Sequence, residues 1–203
     1  MNWQEFTALL VLATAMSFTP GPNTALSTAL AANGGLRRAM PFICAVPLGW
    51  GALLLLCALG LGALLLAVPV LALVVKLSGV AYLLWMAFKL SQSHQMGAAN
   101  AAQLHVGFWQ GVALQFVNIK AWMLALAIVS GWIAGRADPT HRLVVVLPTM
   151  LVFAFTSNLL YAAMGSLLRD WLRGPLGTGR RLLAFNRVMA FVLLVTAIWM
   201  LAL

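Results

Sequence analysis

Residues 20–23 read Pro-Gly-Pro-Asn and lie inside an apolar stretch, residues 6–31, that is long enough to cross a membrane. Each proline withholds a backbone N–H and crowds the preceding turn, so a helix that enters at Phe6 cannot pass through Pro22 unbroken. In hydrocarbon the freed carbonyls need partners, and unwound backbone persists there only inside protein or beside a wet cavity. The sequence therefore predicts two half-helices that meet within a bilayer.

The composition agrees with a membrane protein. Of the 203 residues, 64% are hydrophobic and 7% are charged, and the mean hydropathy is +1.01. A soluble domain of this size could not bury so much apolar surface. The net charge of +9 comes from basic residues in short stretches between apolar runs rather than from one soluble face. We therefore expect the lipid bilayer as a partner and no nucleic acid.

Basic residues predict how the chain is oriented. The apolar spans are 6–31, 40–67, 69–90, 107–134, 143–167 and 182–203. Near the connections after spans one, three and five lie Arg37, Arg38, Lys89, Arg169, Arg173, Arg180, Arg181 and Arg187. The opposite connections hold only Arg136 and Arg142. By the positive-inside rule the first set is cytoplasmic, so both termini are expected to be periplasmic or extracellular.

The spans also suggest an internal repeat within a single transmembrane domain, residues 1–203. Halves of about 1–97 and 98–203 each hold three spans, so the second half inserts upside down relative to the first. The first span of each half carries a polar interruption, at residues 20–23 and 118–120. The predicted fold is all-α integral membrane: six transmembrane helices as two inverted three-helix repeats, with helices 1 and 4 interrupted. Such paired interruptions point to a central transport site; the alternative is two unrelated kinks.

Three motifs resemble those of a known family. Residues 18–23 read Phe-Thr-Pro-Gly-Pro-Asn, and a small-polar run leads from there to the basic pair 37–38. Residues 79–85 read Gly-Val-Ala-Tyr-Leu-Leu-Trp, and residues 108–120 run from Phe-Trp-Gln-Gly to Gln-Phe-Val-Asn-Ile-Lys. Together they resemble the LysE/RhtB exporters along essentially the whole chain. The resemblance implies export of amino acids and related metabolites across the bacterial inner membrane, with protons as the coupling ion.

One position departs from that family. Its fourth-span motif usually reads Asn-Pro-Lys, whereas Ile119 stands in place of the proline here. We therefore expect a milder break in the fourth span than in the first. The same variant is similar to the branch that exports cysteine and O-acetylserine, and the homoserine/threonine type stays open.

Charge placement favours a neutral substrate. The only acids are Glu5, Asp138 and Asp170, all at span ends or in loops, so no carboxylate lies at the midplane. An intramembrane charge is by default a functional hypothesis. Lys120 lies half-way along its span, whereas Lys76 is nearer an interface and can snorkel. A positive site suits a zwitterionic amino acid and disfavours free lysine or arginine, because nothing balances a second positive charge.

The predicted binding site gathers around the two interruptions. Residues 23 and 24 begin a half-helix, whose N-terminus attracts a carboxylate, and Asn23 is expected to cap that helix or to touch substrate. The unwound carbonyls of residues 19–21 can hold an ammonium group. Tyr82, Asn158 and Tyr161 are further polar candidates, and interhelical hydrogen bonding is their alternative role. The candidate substrate-binding residues are Thr19, Pro20, Gly21, Pro22, Asn23, Thr24, Tyr82, Asn118, Lys120, Asn158 and Tyr161.

Enzymatic and metal-binding functions are disfavoured. His94, His105 and His141 fall in loops, so no span offers a Ser–His pair or a His-Glu-x-x-His metal face. Cys44 and Cys57 share one apolar segment and are interpreted as buried, unpaired side chains rather than a disulfide or metal pair. We expect no cofactor and no metal. The alternative function is a structural or channel-like membrane protein without active transport.

Small residues leave the oligomeric state open. The pairs Gly107/Gly111 and Gly131/Gly135 have the small-xxx-small spacing that lets helices approach closely. We interpret them as packing within one chain rather than as a dimer seam, and a homo-oligomer stays an open alternative.

The basic-residue count makes a topology prediction. Reporters fused after Arg38, near Gly97 and near Gly177 should report the cytoplasm, because positive connections stay inside. Reporters near Val68, near Asp138 and at the carboxy terminus should report the outside. Paired alkaline phosphatase and green fluorescent protein fusions measure this, and a cytoplasmic carboxy terminus would overturn the outward-ended arrangement.

Overall fold

The computed structural model describes residues 1–93, 106–174 and 179–202. The linker between the predicted halves, with His94, Gly97 and His105, lies largely outside the described residues, as do Gly177 and Leu203. Within the described ranges the secondary structure is helical and contains no strand. The helices are α1 (Trp3–Phe18), α2 (Pro22–Gly34), α3 (Leu36–Ala58), α4 (Leu61–Ala67), α5 (Pro69–Gln92), α6 (Phe108–Val117), α7 (Ile119–Ile128), a π-helical turn (Val129–Ile133), α8 (Pro139–Leu167), α9 (Arg169–Arg173) and α10 (Arg180–Ala202).

The all-helical membrane class is confirmed, with a smaller span count. Among the described residues, four helices, α3, α5, α8 and α10, are long and apolar enough to cross a membrane. A fifth span results if α6 and the helix that follows it to Ile133 count as one span bent by 68°. The first predicted span is divided into α1 and α2, of 16 and 13 residues. The second is divided into α3 and α4 at Gly60, whose φ of +106° requires a glycine.

The first break lies where the prolines predict it. Helix α1 ends at Phe18, and α2 begins at Pro22, where a missing N–H is harmless because no helical acceptor precedes it. The Gly21 N–H donates to the Thr24 hydroxyl (2.9 Å), which donates in turn to the Gly21 carbonyl (3.1 Å). Thr24 therefore caps α2. The expectation of a cap from Asn23 is wrong, because its side chain reaches Gln115 on α6 instead.

The fourth span breaks without a proline. Asn118 alone separates α6 from α7; its backbone is extended, and its side-chain oxygen accepts from the Lys120 backbone N–H (3.1 Å). An asparagine of this kind is a strong N-cap, so it ends one helix and starts another. The break is shorter than the first, one residue against three, and the chain still turns by 68° there.

Carbonyls freed at both breaks are bonded inside the protein. The Tyr161 hydroxyl donates to the Phe18 carbonyl (2.9 Å), and the Trp122 indole N–H donates to the Phe116 carbonyl (2.8 Å). The Lys120 ammonium group donates to the Thr19 carbonyl (2.9 Å). Side chains from α7 and α8 thus supply donors within the protein to three carbonyls at the two breaks, as unwound backbone in a membrane requires.

Glycines let helices approach each other's backbone. A Cβ at Gly165 on α8 would collide with the Thr28 carbonyl of α2, and one at Gly79 on α5 would collide with the Val117 carbonyl beside the second break. Gly111 packs against α3, which confirms its interpretation as internal packing. A Cβ at Gly131 or Gly135 would meet no atom of the described residues within 4 Å, so the same interpretation is wrong for them.

One end of the bundle is held by ions. Glu5 pairs with Arg142 (3.1 Å) and Arg136 (3.6 Å), and the Trp132 indole N–H donates to the Glu5 carbonyl (2.8 Å). The Asn2 backbone N–H and the Arg142 guanidinium hold the pKa of the Glu5 carboxyl below its ordinary value. These contacts join the start of α1 to the start of α8. We call this the ionic end.

The other end is held by amides. The side chains of Asn33 and Asn186 bond each other (2.8 and 3.0 Å), and Asn186 also donates to the Ser93 carbonyl (2.8 Å). Asn186 and Ser93 are buried. We call this the amide end. Asn33 near the end of α2, Ser93 directly after α5 and Asn186 in α10 thus meet at one end of the bundle.

Three further positions were assigned from sequence. Cys44 and Cys57 are both unpaired. Cys57 is buried as predicted, but Cys44 is exposed, because it lies on the outer face of α3. His141 lies in the first turn of α8 rather than in a loop, and it is exposed.

The close approaches predict which glycines tolerate a methyl group. Gly165→Ala and Gly79→Ala should each lower the thermal midpoint and the yield of detergent-solubilised protein, since overpacking against backbone costs roughly 1–3 kcal/mol or more. Gly131→Ala is the matched control. It meets open space and should be neutral or slightly stabilising, because alanine favours a helix by about 1 kcal/mol over glycine. Equal midpoints for all three variants would contradict the packing described here.

Candidate functional site

A cavity lies between the two helix breaks. It encloses about 530 Å³ of empty space, its open mouth included, and α1, α2, α3, α7 and α8 contribute to its wall. The predicted site residues that line it are Thr19, Gly21, Pro22, Asn23, Thr24, Asn118, Lys120 and Asn158. Residues from both halves of the chain therefore meet at one place, between the ionic end and the amide end.

Lys120 joins the two breaks directly. It begins α7 from the second break, and its ammonium group bonds the Thr19 carbonyl in the first break. A Cβ at Gly21 would lie 3.4 Å from the same nitrogen, so the side chain occupies the space that this glycine leaves. Within the described residues Lys120 makes no ion pair, and Glu5 pairs elsewhere, at the ionic end. Lys120 thus places a positive charge at the cavity with a carbonyl, and no carboxylate, as its partner.

Asn23 and Gln115 connect the two half-helices α2 and α6. Their side-chain amides bond reciprocally, at 2.9 and 3.1 Å, and Gln115 also donates to the Gly111 carbonyl (3.1 Å). Gln115 is fully buried. Because a buried amide needs all its partners, this pair fixes how close the two breaks lie. Gln115 was not among the predicted site residues, although a glutamine within an apolar span is a signal that could have identified it.

Asn158 and Tyr161 bond neighbouring helices. Asn158 accepts from the Ser27 hydroxyl (2.8 Å) and donates to the Ala154 carbonyl (2.8 Å), and it also lines the cavity. Tyr161 bonds the Phe18 carbonyl and does not line the cavity. Both side chains therefore make the interhelical hydrogen bonds given above as their alternative role.

Besides Tyr161, two further candidates do not line the cavity. Pro20 is exposed, and its contribution is to end α1. Tyr82 packs against a buried apolar cluster, with its ring 5.6 Å from that of Trp85. Tyr82 was chosen as one of few polar side chains in a span, but the face of α5 that carries it is turned toward the packed helices. Lys76 is half-buried on α5 and does not line the cavity either.

Trp50 and Ser157 also line the cavity, and neither was predicted from the sequence. Ser157 adjoins Asn158 on α8 and could have been found as part of a polar pair. Trp50 lies in an aliphatic run of α3, where nothing in the sequence distinguishes it from a core tryptophan. Its position at the cavity follows only from the packing of α3 against α7 and α8.

Two broken helices around a cavity with polar groups at the breaks, inside an apolar helical bundle, are typical of a membrane translocator. The sequence profile of the family described as LysE type translocator matches residues 14–202. The chain belongs to this family. The resemblance drawn from the motifs is thereby confirmed, and it places the chain among transporters rather than enzymes.

Several relatives are similar over nearly the whole chain. The cysteine/O-acetylserine efflux protein of Salmonella typhimurium (strain LT2) is 29% identical over 182 residues, which are 90% of each chain. The protein of the same name from Escherichia coli (strain K12) is 29% identical over 187 residues, 92% of this chain and 91% of the relative. No solved structure matches this chain.

The amide pair predicts how Asn23 variants behave. Asn23→Leu leaves the buried Gln115 side-chain oxygen without its donor, which costs about 1–3 kcal/mol, and should lower both the thermal midpoint and transport. Asn23→Leu/Gln115→Leu removes both partners and should recover the midpoint. If Asn23 also contacts substrate, the double variant stays inactive although stable. Normal transport by the single variant would show that the substrate site lies elsewhere.

Proposed function

We propose that this chain exports neutral amino acids or related small metabolites, of the cysteine and O-acetylserine type, from the cytoplasm across the bacterial inner membrane. One observation carries the proposal. The Lys120 ammonium group lies at a cavity between two helix breaks, and a backbone carbonyl rather than a carboxylate is its partner. The names of the two relatives support the substrate class.

The proposed architecture is six spans in two inverted repeats within one domain. In it α1 and α2 form span one, and α6 and α7 with the π-helical turn form span four. The helix contacts support this arrangement: span one packs on span five (α2 and α1 on α8), and span four packs on span two (α6 and α7 on α3). Spans three and six, α5 and α10, pack on each other. A two-fold axis in the membrane plane would relate these contacts.

Substrate binding exchanges one hydrogen bond for two. The carboxylate of a zwitterionic amino acid takes the Lys120 ammonium group as its partner, and the Thr19 carbonyl that Lys120 releases accepts a hydrogen bond from the substrate ammonium group. Lys120 and the Thr19 carbonyl, which bond each other in this structure, thus each bind one charged group of the substrate. Free lysine or arginine would bring a second positive charge into a cavity that has no carboxylate to balance it, and burying an unbalanced charge is costly. The site therefore selects neutral zwitterions.

Protons are the proposed coupling ion, and Lys120 is the proposed carrier. The three acids lie away from the cavity: Glu5 at the ionic end, and Asp138 and Asp170 in exposed positions. A lysine amine can release and regain a proton, whereas an arginine guanidinium keeps its charge. In the proposed orientation the amide end faces the cytoplasm and both termini face the periplasm.

Substitution of Lys120 tests the proposal. In everted vesicles, Lys120→Met should lower uptake of labelled O-acetylserine by roughly 10- to 100-fold, because a hydrogen bond to a charged group contributes about 1.5–3 kcal/mol. Lys120→Arg should still exchange substrate but lose uptake driven by an imposed proton gradient. Lys76→Met, the same change away from the cavity, is the control.

Two outcomes contradict parts of the proposal. Normal gradient-driven uptake by Lys120→Arg would refute the proton-carrier role and leave an electrostatic one. Uptake by the unaltered protein that is independent of the proton gradient, with the same rate at every imposed gradient, would indicate a channel-like protein instead.

A further inference from the structure

We propose that Trp50 is a specificity-determining residue of this cavity: its indole N–H donates a hydrogen bond to an acceptor atom in the side chain of the transported amino acid. The inference rests on the proposed function, because it concerns the same cavity. It adds a residue and a substrate feature, a short side chain that carries a hydrogen-bond acceptor.

The indole of Trp50 is a buried donor without an acceptor. Trp50 is 4% exposed and lines the cavity, and its N–H has no hydrogen-bond partner among the described residues. Other tryptophans of the fold differ: the N–H of Trp122 bonds the Phe116 carbonyl, and that of Trp132 bonds the Glu5 carbonyl, both at 2.8 Å. Buried polar groups in proteins are nearly always bonded, so an unbonded one beside a cavity indicates a group that the ligand supplies.

The cavity has a polar side and an apolar side. At the level of the breaks its wall carries Thr19, Asn118 and Lys120. Toward the ionic end the wall carries Met16, Trp50, Leu124 and Met150, which belong to or pack against the apolar cluster between α1, α3, α7 and α8. Of these four side chains only Trp50 has a hydrogen-bond donor.

This polarity orients the substrate. With its carboxylate at Lys120 and its ammonium group at Thr19, a zwitterion directs its side chain toward the apolar side. Leu124 follows Lys120 by one helical turn, so the two positions are about 6 Å apart along the axis, the length of a side chain of about four atoms. An acceptor on such a side chain lies on the side where Trp50 supplies the donor.

The expected specificity acts against amino acids whose side chains lack a hydrogen-bond acceptor. A site with a buried donor rejects an analogue that lacks the acceptor, because binding that analogue leaves the donor unpaired. O-acetylserine and norleucine form a suitable test pair. Their side chains have the same length in heavy atoms along the chain, and only O-acetylserine carries ester oxygens.

The experiment compares affinities in the purified full-length protein. Ligand-dependent shifts of the thermal midpoint give the dissociation constants of both compounds for unaltered protein, Trp50→Phe and Trp132→Phe, because a ligand that binds only the folded state stabilises it. The unaltered protein should prefer O-acetylserine. Trp50→Phe should reduce that preference about three- to tenfold, the contribution of one neutral hydrogen bond. Trp132→Phe deletes an N–H that bonds the Glu5 carbonyl at the ionic end, away from the cavity wall, and should leave the preference unchanged.

The outcomes distinguish the role of Trp50 from the proposed function. A preference that Trp50→Phe leaves unchanged, or that both variants reduce equally, overturns the role of Trp50 while the proposed function stands. Equal affinities of the unaltered protein for the two compounds overturn it as well, whatever the stability of the variants. Failure of the unaltered protein to bind either compound refutes the proposed function and this inference with it.

Discussion

The backbone carbonyls at the two helix breaks need hydrogen-bond donors, and the rest of this structure depends on that constraint. An unbonded carbonyl in hydrocarbon costs several kcal/mol, so each break must lie where other helices supply donors. Tyr161, Trp122 and Lys120 supply them. Because these donors come from α7 and α8, the breaks can only exist beside those helices. The same requirement that permits the breaks thus also places them at one cavity.

In the proposed function, the contacts that satisfy the breaks also determine what the cavity recognises. Lys120 bonds a backbone carbonyl, so its charge is available without being left unbonded. A site that used an aspartate to neutralise this lysine would resist anionic groups. With a carbonyl as partner, the lysine can exchange one weak acceptor for a carboxylate, and charge-assisted bonds are stronger than neutral ones.

Features of this structure that neighbouring residues determine could be predicted from the sequence, whereas contacts between residues far apart in the chain could not. Pro20 and Pro22 fix the first break by local sterics, and Asn118 caps the helix that follows it, so both breaks are local properties. The paired interruptions predicted one site around both breaks, but the hydrogen bond between Lys120 and Thr19 was not predicted. The amide pair of Asn23 and Gln115 joins positions 92 residues apart, and the face of α5 that carries Tyr82 depends on packing. Gln115 stands out as a glutamine in an apolar span, but its pairing with Asn23 leaves no local signal. The face of Tyr82 leaves none either, and neither does Trp50, because indoles are common in apolar spans.

The two ends of the bundle are closed by different chemistry. Glu5, Arg136 and Arg142 hold the ionic end through charges at a surface, whereas Asn33 and Asn186 hold the amide end through neutral, largely buried groups. Dissolved salt weakens the attraction between exposed charges, with a screening length of about 8–10 Å, and has little effect on buried amides. Ionic strength therefore acts on the Glu5 ion pairs and leaves the Asn33–Asn186 amide pair largely unchanged, so the contacts that hold the two ends differ in their dependence on salt.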